Sequence, residues 1–171
     1  MRFVRLPPAA LTALAAGHLA KASFAAGVEL TPYFVTPEAR HLWQLRTREV
    51  TKEPARGDWI ARAAVDERSG AVIGHAGFHG PPDEAGMVEV AYSVDPARRR
   101  QGYATAMLGE LLRRAAGEPS VVTVRASISP DNAGSLATVA RFGFTRNGEQ
   151  WDEEDGLELI FEVAAADLDR G

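Results

Sequence analysis

A chain of 171 residues fits one domain of ordinary size, with room for a sizeable core. Apolar residues at 46% and charged residues at 25% match soluble globular usage, which excludes disordered and collagen-like classes. The net charge of −4 argues against a coat for nucleic acid, and the lack of cysteine removes disulfides, thiolate metal sites and a thiol nucleophile, in keeping with a reducing cytoplasm.

Met1 to Leu6 reads as a short edge strand. Arg2 and Arg5 before the apolar run Leu6 to Ala16, with Ala20-Lys21-Ala22 behind it, imitate a signal peptide. Pro7-Pro8, His18 and Lys21 stand against that reading, and Leu11, Leu14, His18 and Ala22 share one helical face. The segment is expected to be an amphipathic helix from Pro8 to about Ala26, stopped by Gly27. Thr36-Pro37-Glu38 announces a second helix carrying Leu42, Leu45 and Val50. Lys52 to Gly57 is a loop. Three strands follow: Trp59 to Val65, a Ser69-Gly70 turn into Ala71 to Phe78, then Met87 to Val94 after the loop Gly80-Pro81-Pro82-Asp83.

Tyr103 to Ala116 has helical spacing at Ala104, Met107, Leu108, Leu111 and Leu112, with Arg113 and Arg114 at its negative end. Val121 to Ile128 is a buried strand, Asp131 or Asn132 caps a short helix ending near Phe142-Gly143, and Phe144 to Gln150 with Leu157 to Val163 form a closing hairpin. The order is β-α-α-β-β-β-α-β-α-β-β, with no repeat or linker. No stretch after the first helix is long and apolar enough to span a bilayer, so the expectation is a soluble, cytoplasmic protein without a membrane partner.

The most informative passage is Asp95-Pro96-Ala97-Arg98-Arg99-Arg100-Gln101-Gly102-Tyr103-Ala104, between a strand and a helix. A helix start carries unpaired N–H groups and partial positive charge, which suit a phosphate. Gly102 lets backbone approach a ligand, small Ala104 avoids crowding it, and three arginines add forked donors. A solvated basic loop before an ordinary helix is the plainer alternative. The NTPase loop fails for want of its lysine and hydroxyl, and the dinucleotide fingerprint for want of two glycines.

The run Val94-Asp95-Pro96 with Arg99-x-x-Gly102-x-Ala104 resembles the coenzyme A signature of the GNAT superfamily of N-acetyltransferases. Asn132-x-x-Ser135 and then Arg141-Phe142-Gly143-Phe144 resemble the second signature of that family. Gly74-His75, Gly80-Pro81-Pro82 and Val88-Glu89-Val90-Ala91-Tyr92 are similar to the branch typified by the ribosomal-protein alanine N-acetyltransferases. The resemblance covers nearly the whole chain. It implies a single domain, 1–171, of α/β (α+β) class: a mixed, mostly antiparallel central sheet with helices on both faces. It also implies acetyl-CoA as cosubstrate, no metal, and an amine acceptor that is a peptide N-terminus or a small molecule. Arg99, Arg100, Gln101, Gly102, Tyr103, Ala104 and Thr105 would bind the coenzyme. Tyr92, Ser93 and Val94 would line a gap between splayed central strands, with Asn132 and Ser135 along the pantetheine arm.

Acetyl transfer to an amine needs a base, stabilisation of the carbonyl oxygen and a proton for the departing thiolate. Glu89, mid-strand among apolar neighbours, is the candidate base; in the competing reading it pairs with an arginine and only orders the sheet. His75 and His79 share a strand face and rank below it. Many relatives carry a tyrosine where this chain has Val139, which leaves Ser135 as the candidate acid or a packing residue, with Tyr92 behind it. Asp152-Glu153-Glu154-Asp155 with Glu158 form an acidic rim that suits a cationic amine but reads more simply as a solvated turn. Trp43 and Phe34 either shape the acceptor pocket or belong to the core. A catalytically silent acyl-CoA-binding module is the alternative function. RNA binding is weak, because no aromatic platform accompanies the basic patch. Neither the acceptor, the acyl chain nor the oligomeric state is fixed by the sequence, a homodimer being one option.

Overall fold

The computed structural model describes residues 1–153 and 156–170. The described residues form strands β1 (Arg2–Val4), β2 (Arg62–Val65), β3 (Val72–Phe78), β4 (Met87–Val94), β5 (Thr123–Ile128), β6 (Thr145–Asp152) and β7 (Gly156–Ala164). The helices are α1 (Pro8–Ala15), α2 (Leu19–Ala26), α3 (Pro37–Lys52), α4 (Tyr103–Ala116) and α5 (Ala133–Val139). The strands run in the order β1-β2-β3-β4-β5-β7-β6. The β4–β5 ladder is parallel, while β1–β2, β2–β3, β5–β7 and β6–β7 are antiparallel. This is the mixed, mostly antiparallel α/β sheet expected.

The chain divides into two compact units, Met1–Gly77 with Tyr92–Tyr103, and Phe78–Ala91 with Ala104–Gly171. The core of the first gathers Leu11, Leu14, Phe34, Trp43, Ile60, Val65 and Val72. Its helix α3 starts as the sequence indicates: Pro37 is the first helical residue, and the Thr36 side chain accepts from Ala39 N at 3.3 Å. A short 3-10 turn, Pro54–Asp58, delays β2, so the strand begins at Arg62 and not at Trp59. The Ile60–Ala61 backbone then lies so close to β3 that a Cβ on Gly77 would meet Ile60 C at 2.5 Å.

One expected helix is two. Gly17 adopts φ +79, its N–H donates to Leu14 O at 2.9 Å, and His18 N–H donates to Ala13 O at 2.8 Å. Those two bonds form a Schellman closure with glycine at the left-handed position, which ends α1 and lets α2 start afresh. The apolar face carries on past Gly17 and hides the break.

In the second unit α4 buries Met107, Leu108, Leu111, Leu112 and Ala115 along one stripe. Strand β5 alternates, with Val124, Ala126 and Ile128 buried and Thr123, Arg125 and Ser127 on the other face. The β4–β5 ladder pairs Met87–Glu89 with Thr123–Arg125 and ends there, although β4 runs on to Val94 and β5 to Ile128. The acidic hairpin tip falls partly at residues 154 and 155, outside the described residues.

Candidate active site

Asp95 governs the turn that leaves β4. It is buried, its Oδ1 accepts from Ala97 N at 3.0 Å, and its Oδ2 accepts from the Thr31 hydroxyl at 2.7 Å. Its own N–H donates to Ile73 O at 2.9 Å. The chain then passes through left-handed conformations at Arg100 (φ +63) and Gly102 (φ +81) before α4 begins. A Cβ on Gly102 meets no protein atom within 4 Å, so the backbone conformation, not crowding, asks for glycine there. Arg98, Arg99, Arg100, Gln101 and Gly102 are exposed, and Arg99 Nε reaches back to Val94 O at 3.3 Å. The result is a solvent-facing loop of guanidinium groups ahead of a 14-residue helix, whose first-turn amides have no intrahelical acceptor.

Tyr103, the last residue of this unit, donates its hydroxyl to Asp66 Oδ2 at 3.3 Å. Asp66 sits in the turn between β2 and β3. The Arg68 N–H, then the Ser69 and Tyr103 hydroxyls, hold its carboxyl below the usual range.

Of the strand residues expected to line a ligand gap, Ser93 shares a short hydrogen bond with the Tyr33 hydroxyl. The Tyr33 ring stacks on His75, which Phe34 and Trp43 meet edge-on. Burial, with the Arg46 charge beside it, pushes the His75 pKa down to about 4. His75 is thus a neutral core residue at physiological pH. Phe34 and Trp43 are likewise core: both are fully buried, and Trp43 Nε1 donates to Phe34 O at 2.8 Å.

The second unit holds Glu89, Ala104, Thr105, Asn132 and Ser135. Glu89 is half-buried, and no side-chain hydrogen bond or ion pair among the described residues engages its carboxylate. Its carbonyl accepts from His79 N at 2.9 Å, and its Cα partner on β5 is Arg125. The competing reading, in which Glu89 pairs with an arginine, is not met among the described residues. An arginine does lie beside it, but Arg125 donates from Nε at 2.9 Å and from Nη2 at 2.7 Å to Glu162 Oε1. Asn132 Oδ1 caps α5 by accepting from Ser135 N at 3.0 Å. Val139 is buried in α5.

Sequence reasoning missed Thr31, Tyr33, Asp66, Arg125 and Glu162. Strand register brings Arg125 to Glu162, while tertiary packing of remote turns brings Thr31 to Asp95, Tyr33 to Ser93 and Asp66 to Tyr103.

A family model described as an acetyltransferase (GNAT) domain matches residues 9–145. The uncharacterized N-acetyltransferase YjdG of Bacillus subtilis (strain 168) is 34% identical over 76 residues, which make up 44% of this chain and 45% of that protein. The match thus spans less than half of that relative. Among solved structures, the ribosomal-protein-S5-alanine acetyltransferase from Vibrio fischeri superposes with a TM-score of 0.64 at 16% identity, over 98% of this chain and 93% of that one. Spermidine N-acetyltransferase from Vibrio cholerae, solved with CoA and spermine, gives 0.63 at 12% identity over 78% and 79%. The phosphinothricin acetyltransferase from Sinorhizobium meliloti, solved with AcCoA, gives 0.60 at 23% identity over 95% and 86%. At such identities these likenesses establish the fold alone.

Proposed function

We propose, from the premise that this chain belongs to the GNAT acetyltransferase domain family and is an acyltransferase, that it moves an acetyl group from acetyl-CoA to a primary amine by direct attack. The observation that carries the reading is the loop at Arg98–Gly102. Left-handed Arg100 and Gly102 bring it to the start of α4 with its cations in solvent, an arrangement that fits a diphosphate. The structures named above that were solved with CoA or AcCoA support acetyl-CoA as the donor. The acceptor is a protein α-amine or a small molecule. The family domain spans most of the chain, which supports a single functional domain.

Bound acetyl-CoA supplies the thioester carbonyl that the amine attacks. In this reading Arg99, Arg100, Gln101, Gly102, Tyr103, Ala104 and Thr105 hold the coenzyme's phosphates. Tyr92, Ser93 and Val94 offer strand backbone to the pantetheine amides, with one N–H turned to the carbonyl oxygen. Asn132 holds the arm through its side-chain NH₂. Glu89 takes the proton from the attacking amine, directly or through water; that its carboxylate has no hydrogen-bond or ion-pair partner among the described residues supports this role. Ser135, half-buried at the start of α5, gives a proton to the leaving sulfur or packs beside it.

Thiol release from acetyl-CoA in the presence of peptides with different first residues, polyamines and aminoglycosides tests the proposal. Turnover with one class identifies the acceptor. Saturable binding without turnover across the panel would return the silent acyl-CoA-binding reading.

A further inference from the structure

Directly opposed residues in a sheet point to one face. The registers Glu89↔Arg125, Arg125↔Glu162 and Glu162↔Thr145 therefore lay one polar row across β4, β5, β7 and β6. His79, whose N–H meets the Glu89 carbonyl, extends it on the other side. The charged or titratable side chains in the row are His79, Glu89, Arg125 and Glu162. Arg125 stands between two carboxylates and gives both Nε and Nη2 to one of them, Glu162. Glu162 is held in turn: Asn147 Nδ2 donates to its second oxygen, and only 19% of its side chain is exposed.

We propose that Glu162 is a positioning residue for acetyl transfer: by gripping Arg125 it withholds that guanidinium from Glu89 and leaves the Glu89 carboxylate able to accept a proton. The inference rests on Glu89 acting as the base. A carboxylate paired with an arginine loses basicity, so an Arg125 released from Glu162 turns to Glu89 and weakens it.

The carboxyl-carbon resonance of Glu89, assigned by its loss in E89Q, reads this directly by NMR titration. In E162Q it titrates lower by about one pH unit or more. In the double variant R125Q/E162Q it returns to the position of the unchanged protein, which assigns the shift to Arg125 and not to His79, present in both. N147A, which removes only the second anchor of Glu162, shifts it the same way by less and serves if E162Q fails to fold. An unmoved titration in whichever of these folds overturns the proposal. The acid limb of the kcat/KM profile should follow the resonance in E162Q while the KM for acetyl-CoA stays put. If the resonance moves and the limb does not, Glu89 is not the base, and the catalytic role given to Glu162 falls with it. If E89Q abolishes the limb but E162Q moves neither signal, the base stands and only the role of Glu162 fails.

Discussion

The His75 imidazole lies almost parallel to the Tyr33 ring, with centroids 5.9 Å apart and planes 9° from parallel. Tyr33 in turn holds Ser93 on β4 through its hydroxyl. A histidine read from sequence as a catalytic helper is thus the centre of an aromatic cluster that touches β4 through Tyr33 and Ser93.

That burial makes stability depend on pH. The imidazole must be neutral when folded, with a pKa of about 4 against 6.5 when unfolded. Between those values the unfolded chain binds more protons, so stability rises with pH. The contribution is complete above about pH 6.5 and lost as pH falls toward about 4, amounting to about 3 kcal/mol. Urea unfolding from pH 7.5 to 4.5 should show the loss, and His75→Phe, which cannot titrate, should flatten it. Equal pH slopes in the two proteins would remove His75 as the cause.

Gly102→Val should fold, because a Cβ there meets nothing within 4 Å, at a strain cost of about 1–2 kcal/mol from its φ of +81. The methyls would stand where the loop is proposed to meet the diphosphate. Calorimetric affinity for acetyl-CoA should fall roughly ten- to a hundredfold, or about 1.4 to 2.8 kcal/mol. Unchanged affinity in a folded sample would move the phosphate site elsewhere.

Local chemistry explains why some features were legible in sequence and others were not. The α3 cap at Thr36-Pro37, the extents of β4 and α4, and the left-handed glycine just before α4 all follow from neighbouring residues. The break at Gly17 was hidden because apolar periodicity runs through it and the signal is a single glycine. The Arg125–Glu162 pair joins residues 37 apart, and Tyr33–Ser93 joins residues 60 apart. Side-chain type places such groups on a strand face or a loop, but β5–β7 register brings Arg125 to Glu162, and packing of the 32–35 turn brings Tyr33 to Ser93. Residue type singled out Glu89 as a candidate; that Arg125 lies opposite it on β5 needed the fold.

Glu89→Gln keeps the shape of the side chain and removes the proposed proton acceptor. Turnover should fall about 10²- to 10⁴-fold, the range for a positioned general base, with coenzyme affinity unchanged. Pre-steady-state rates across pH 6 to 9 would check this, and a pH profile identical to that of the unchanged enzyme would take Glu89 out of the mechanism.

Asp95 ties the loop that follows β4 to its own unit, through the bonds to Ala97 N–H and the Thr31 hydroxyl. Asp95→Ala removes the cap and leaves the part-buried Thr31 hydroxyl without its acceptor, a combined cost of about 2 kcal/mol. Asp95→Asn keeps a carbonyl oxygen for Ala97 and should cost about half as much. Because this buried carboxylate helps tie down an otherwise exposed loop, the alanine variant should also raise the KM for acetyl-CoA while changing kcat little, if the loop meets the coenzyme as proposed. Denaturant midpoints and initial rates on both variants separate the two effects. If alanine and asparagine match the unchanged protein in stability, the hydrogen bonds contribute nothing net; if stability falls but the KM holds, the loop keeps its shape without them.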